Sequence, residues 1–156
     1  MTIAQQLKAV RDAASMTDWQ ASVSADVSIA NDIAQALTYL QNKPGVPKAV
    51  IVYDGEEKRG EHEEGARVDR NFSVIVTRSA GLDIEGNYVE DDNSGGLPLY
   101  DLVEGCRDAV RGVRFEADVT EVYPNFKGIS RFDVGEALFD AYKIEFSIGT
   151  QLDSIL

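Results

Sequence analysis

Cysteine, histidine and tryptophan occur once each in these 156 residues, at Cys106, His62 and Trp19. A lone cysteine excludes an intramolecular disulfide. Cys106 also falls at helical spacing among apolar residues, which reads as a small core residue rather than a reactive thiol. A lone histidine leaves a zinc site without a second His or Cys, and leaves little room for a Ser/His or Cys/His pair. The sequence has no Gly-x-Ser-x-Gly elbow, no P-loop and no Gly-x-Gly-x-x-Gly after a strand, so neither a hydrolase triad nor a bound cofactor is expected. Trp19 reads as a packing anchor. No apolar run approaches membrane-spanning length, and the first residues lack the basic region and apolar stretch of a signal peptide. The expectation is a non-enzyme, with no metal and no cofactor, that works in a reducing cytoplasm or in a particle assembled there.

Clustered positive charge is also missing. There are 15 Lys and Arg against 27 Asp and Glu, a net charge of −12. Nucleic-acid faces need grouped Lys and Arg to displace phosphate counterions, and anionic membranes need the same. Two segments hold nine of the twelve net negative charges. One, residues 54–65 within an expected loop of about 54–67, contains Asp54, Glu56, Glu57, Glu61, Glu63 and Glu64 against Lys58 and Arg59. The other, about 79–97, contains Asp83, Glu85, Glu90, Asp91 and Asp92 with no base between residues 82 and 93. Both read as acidic loops on an almost neutral body. The first could hold a metal by residue type, yet its spacing does not match an EF-hand. Glu56-Glu57-Lys58 contains the acid-x-Lys fragment of metal-dependent nucleases, without a second acid on a neighbouring strand or a basic groove. A solvated hairpin extension accounts for the segment more simply.

The apolar pattern gives the elements. Thr2-Ile3-Ala4-Gln5 is a capping box, followed by Leu7, Val10 and Ala14 at helical spacing. A second helix is expected over residues 26–41, with Ile29, Ile33, Leu37 and Leu40 as its core stripe, Asp26 or Ser28 as its cap, and Pro44 and Pro47 beyond its end. Residues 49–53 read as a central strand. Residues 68–77 read as another, with Val68, Phe72, Val74 and Val76 on one face, interrupted by Arg70. Pro98 then opens a helix carrying Leu99, Leu102, Val103, Cys106 and Val110 on one side, with Gly112 after its end. Strands are expected at 115–123, 129–138 and 142–148, with turns at Pro124-Asn125 and Phe139-Asp140. In the last strand Tyr142, Ile144, Phe146 and Ile148 alternate with Lys143, Glu145 and Ser147, the signature of a half-buried antiparallel strand. The whole, residues 1–156, reads as a single α+β domain, a mostly antiparallel sheet with helices packed on one face.

This layout resembles the tail terminator, or tail completion, proteins of long-tailed bacteriophages. The resemblance rests on the N-terminal helical region before Ala49-Val50-Ile51-Val52-Tyr53, the strand Phe72-Ser73-Val74-Ile75-Val76, the helix ending Arg107-Asp108-Ala109-Val110-Arg111-Gly112, and the closing strand. It implies a virion structural protein, located in the tail or neck and assembled in the host cytoplasm. Such a subunit forms a ring, usually a hexamer, which caps the tail tube, ends its polymerisation and joins it to the head-side connector. Its partners would be itself, the tail tube protein and the connector protein, with DNA passing through unbound. The acidic residues of both segments, with Lys143 and Glu145, are the candidates for subunit contact or the channel wall. A different neck, head–tail joining or minor tail protein is the nearest alternative, and a metal-dependent hydrolase built on the acidic segment a more distant one.

Overall fold

A strand covered on both faces reads as an unbroken apolar run, because neither side meets water. Ala49-Val50-Ile51-Val52 is such a run, and in the computed structural model of the chain these side chains are at most 2% exposed. The structure describes residues 2–17, 26–41, 48–62, 65–79, 99–116, 121–133 and 139–152. Among them are the helices α1 (Ile3–Ser15), α2 (Ile33–Gln41) and α3 (Leu99–Arg111). The strands are β1 (Asp26–Ala30), β2 (Lys48–His62), β3 (Gly65–Ser79), β4 (Phe115–Glu116), β5 (Glu121–Val122), β6 (Asn125–Phe132) and β7 (Phe139–Gln151). Five strands form one sheet in the order β1-β2-β3-β7-β6, and β4 and β5 form a separate pair. β1 runs parallel to β2, and the other neighbours in the large sheet are antiparallel. The α+β class and the mostly antiparallel sheet are therefore as the sequence indicates.

The second expected helix is shorter than its pattern suggested. Residues 26–30 form β1, in register from Asp26↔Lys48 to Ala30↔Val52. Val27 and Ile29 alternate with Ser28 at the strand period, so Ile29 belongs to β1 and neither Asp26 nor Ser28 caps a helix. Asp32 does: its Oδ1 accepts from the Gln35 amide at 2.7 Å, while Gln35 Oε1 accepts from the Asn31 amide at 2.6 Å. Asp32-Ile33-Ala34-Gln35 thus nearly repeats the box at Thr2-Ile3-Ala4-Gln5, where both reciprocal bonds form, at 2.8 and 3.1 Å. Ile33 is 42% exposed, and Ala36 and Leu40 carry the buried side of α2.

Parallel neighbours need a crossover, and α2 supplies it. This overturns the expectation of helices on one face. Ala49 and Ile51 point to a core with Val10 of α1 and Leu99, Leu102, Val103, Cys106 and Val110 of α3. Val50 and Val52 point the opposite way, to a smaller core with Ala36 and Leu40 of α2. The α3 stripe is buried as its spacing predicted, and the Gly112 amide closes the helix on the Asp108 carbonyl at 3.3 Å. A Cβ on Gly105 would lie 3.1 Å from Thr17 Cγ2, so this glycine lets the end of α1 approach α3 closely.

β7 carries the alternation seen in the sequence. Ile144, Phe146 and Ile148 are fully buried with α3, and Tyr142 is partly buried beside them. The Phe146 ring stacks on Phe72 at 5.7 Å and leans on Phe126 at 5.5 Å. The turn expected at Phe139-Asp140 is instead the start of β7, because Ser79↔Phe139 and Arg78↔Asp140 already pair. The strand expected at 129–138 begins earlier, at Asn125, and its residues 134–138 lie outside the described residues. The strand expected at 115–123 is two short pieces paired Phe115↔Val122. No helix among the described residues is long and apolar enough to cross a membrane.

Phe146 packs against two other rings, Phe72 and Phe126, and is 0% exposed. Phe146→Ala is expected to cost about 3–5 kcal/mol in denaturant unfolding, against under about 1 kcal/mol for Lys143→Ala on the opposite side of the same strand. Equal costs would show that the strand's two faces are not unequal in the way described.

Candidate functional site at the acidic hairpin and the β6 edge

Glu and Lys are poor strand formers, so a charged stretch reads as a loop. Here backbone pairing prevails. β2 runs on to His62 and β3 begins at Gly65, so most of the segment expected as an acidic loop over 54–67 is a two-stranded ribbon. Its register is Glu56↔Arg70, Glu57↔Asp69 and Lys58↔Val68, with irregularities between Tyr53 and Gly55 and between Lys58 and Gly60. Gly55 has φ 121°, which glycine adopts without a Cβ penalty and which suits a bulge.

The root of this ribbon is fastened to α1. Arg70 sits on the apolar side of β3 and is only 7% exposed, so its charge has to be met by hydrogen bonds. Its Nη1 donates to Gln6 Oε1 at 3.0 Å. Gln6 is buried and donates from Nε2 to Thr150 Oγ1 at 3.0 Å, and Thr150 donates on to the Ile148 carbonyl at 3.3 Å. Arg70 Nε lies 3.5 Å from Glu56 Oε2. Tyr53 borders the group. Burial foremost, then the Glu56 carboxylate, hold its hydroxyl above the usual phenol range, with Arg70 pulling the other way. The sequence showed only that Arg70 broke an apolar face. The missed signal is its match to a second polar residue, Gln6, on the inner side of α1.

The opposite face of the sheet is polar beyond the reach of α2. Asp54 accepts from the buried Ser73 hydroxyl at 2.5 Å. Lys127 Nζ donates to Asn71 Oδ1 at 2.7 Å, and Lys143 Nζ pairs with Glu145 Oε1 at 3.1 Å. Lys143 and Glu145 are thus brought together on an accessible face, whereas Ser147, grouped with them by alternation, is buried. A second buried cation, Lys48, donates to the Tyr39 carbonyl at 3.4 Å near the end of α2, with Nζ 5.7 Å from the Tyr39 ring centre. A cation there complements the helix dipole. On the α1 and α3 side, the Tyr100 and Tyr142 hydroxyls are 3.3 Å apart. Their hydrogen bond, with burial second, raises the Tyr142 hydroxyl above its ordinary value.

Among the described residues β6 is the last strand of the sheet, and Asn125 and the stretch 127–131 are exposed along it. Of the remaining candidates, the backbone of Glu61 lies in β2, while Glu63, Glu64, Asp83, Glu85, Glu90, Asp91 and Asp92 lie outside the described residues. Most of the segment expected as a loop over 79–97 also lies outside them. Among the described residues no group of three or more His, Cys, Asp or Glu is placed to hold a metal ion. The geometry described is that of a charged β2–β3 ribbon and an exposed strand β6. The chain matches no family model and no curated protein.

Two measurements probe these environments. Arg70→Met keeps most of the side-chain volume but leaves Gln6 Oε1 without its donor, an expected cost of about 1–3 kcal/mol. Glu56→Gln is expected to cost under about 1 kcal/mol, since the Glu56 side chain is 40% exposed. The reverse order would refute the network as the anchor of α1. Burial pushes the Cys106 thiol up from 9.0 to about 12. Above pH 9 the unfolded chain sheds this proton while the folded chain keeps it, so this group lowers stability as pH rises towards 12, by roughly 1.4 kcal/mol per unit. Cys106→Ala should flatten the fall in stability between pH 9 and 11 by that slope. An unchanged slope would show that the thiol is not buried in solution.

Proposed function

We propose that this chain is a virion structural protein of the tail terminator type, a subunit that forms a ring, caps a tail tube and offers its other side to the head-side connector. The reading rests on the resemblance of the α3 helix and the β7 strand to that family. The observation that carries it further is the unlikeness of the sheet's two ends. A closed ring needs a heterologous contact, in which one patch of a subunit meets a different patch of the next. The β6 end is an exposed edge bearing Lys127 and Arg131, and the β2–β3 ribbon at the other side bears Glu56 and Glu57. Unlike ends suit head-to-tail closure, and like ends would suit a twofold dimer. The net charge of −12 suits a ring through which DNA passes without sticking.

Native mass spectrometry and negative-stain images of the purified chain are expected to show a closed oligomer, free or on tube ends. Particles assembled without the protein should carry tails of uncontrolled length. Tails of normal length that fail to attach to heads would assign it to head–tail joining instead. A chain monomeric at every concentration and never found on particles would sink the ring reading.

A further inference from the structure

The strand directions allow the sheet to continue from one copy into the next. β3 and β6 run one way and β2 and β7 the other. A rotation that keeps strand direction therefore sets β6 of one copy antiparallel to β2 of its neighbour. The part of β2 needed is open among the described residues. β1 covers only the stretch from Lys48 to Val52, and Asp54, Glu56, Glu57 and Lys58 beyond it are exposed. We propose that a second copy of this chain docks here, with the exposed edge of β6 adding to the outer edge of β2 beyond Val52, so that one sheet runs on through successive subunits. The inference rests on the ring reading above and names its contact.

Charge selects the partner. The stretch 125–132 holds two bases, Lys127 and Arg131, and no acid, whereas residues 54–65 carry a net −4. Pairing β6 with another β6 would bring cations together, and pairing two β2 edges would bring acids together. Each edge thus disfavours its own copy and favours the other. Each also contains a glycine bulge, Gly55 at φ 121° and Gly128 at φ 148°. Bulges interrupt an edge that would otherwise accept any strand.

Face continuity sets the register. Directly opposed residues share a face of the sheet. Arg131 pairs with Tyr142, on the side of α1 and α3, and Glu56 pairs with Arg70 on the same side. Arg131 opposite Glu56 of the next copy satisfies both face and charge. Ser130 then lies opposite Glu57.

The test combines Glu57→Cys and Ser130→Cys in one chain. Directly opposed antiparallel residues have Cα atoms about 4.5–5.5 Å apart, within disulfide range. Mild oxidation of the assembled protein should give, on a non-reducing denaturing gel, a ladder of linked copies ending at the oligomer size found by native mass spectrometry. Each single variant should stay unlinked, and a mixture of the two should stop at dimers. A closed oligomer with no ladder would overturn this contact and leave the ring reading standing. Links within a single variant would overturn it in favour of a twofold contact. A monomer in native mass spectrometry would overturn both. Far-UV circular dichroism and the thermal midpoint establish that each variant is folded before oxidation.

Discussion

The parallel pairing of β1 with β2 is the constraint from which the rest of the architecture follows. Parallel strands cannot be joined by a tight turn, so the chain has to leave the sheet and return. α2 is that detour, and it occupies one face over Val50 and Val52. The other face, where Ala49, Ile51, Phe72, Val74, Val76, Ile144 and Phe146 are buried, is left to α1 and α3. A central strand apolar on both sides is stable only when both are covered. The order of helices along the chain provides α1 before β1 and α3 after β3 for one face, and α2 between β1 and β2 for the other.

The brevity of β1 has the next consequence. It spans five residues beside a β2 of fifteen. The short crossover helix packs on β1 and β2, so the rest of that face is finished with polar pairs, Asn71 with Lys127, Ser73 with Asp54 and Lys143 with Glu145. Past Val52 the outer edge of β2 has no partner strand among the described residues. The same economy that makes a small βαβ unit therefore creates an open edge, at the place where the sequence turns acidic.

Where one physical signal dominated, the sequence was readable. The α3 stripe and the alternation in β7 each have a single period, and both are buried as that period requires. Residues 33–41 are helical as expected, but 26–30 are a strand, because Ile29, Ile33, Leu37 and Leu40 fit a helical spacing across a strand–turn–helix boundary. The decisive mark was local, the Asp32-to-Gln35 box. Composition alone makes the acidic segment a loop, because it speaks for side chains; the hairpin extension also expected there is what the backbone pairing from Glu56↔Arg70 to His62↔Gly65 forms. Arg70 was seen and Gln6 was not, since their pairing joins α1 to β3 across 64 positions of sequence. For the same reason the accessible pair Lys143 and Glu145 was legible from β7 alone, while the open β2 edge required knowing where β1 stops.

The network at the ribbon's root bears on how such a subunit could close a ring. Closure demands a fixed rotation from copy to copy, and a contact that swings freely gives open chains instead. Arg70 lies where the ribbon leaves the body, hydrogen-bonded through Gln6 to α1 and through Gln6 and Thr150 to β7. It therefore ties the direction of the ribbon to the packed core. Glu56 stands at the same point, 3.5 Å from Arg70, and in the proposed contact it also meets Arg131 of the neighbour. In that proposed contact, one carboxylate between two guanidinium groups would couple the ribbon's orientation within a subunit to the joint between subunits. Weakening the inner half of that arrangement would loosen the angle of assembly before it unfolded the chain.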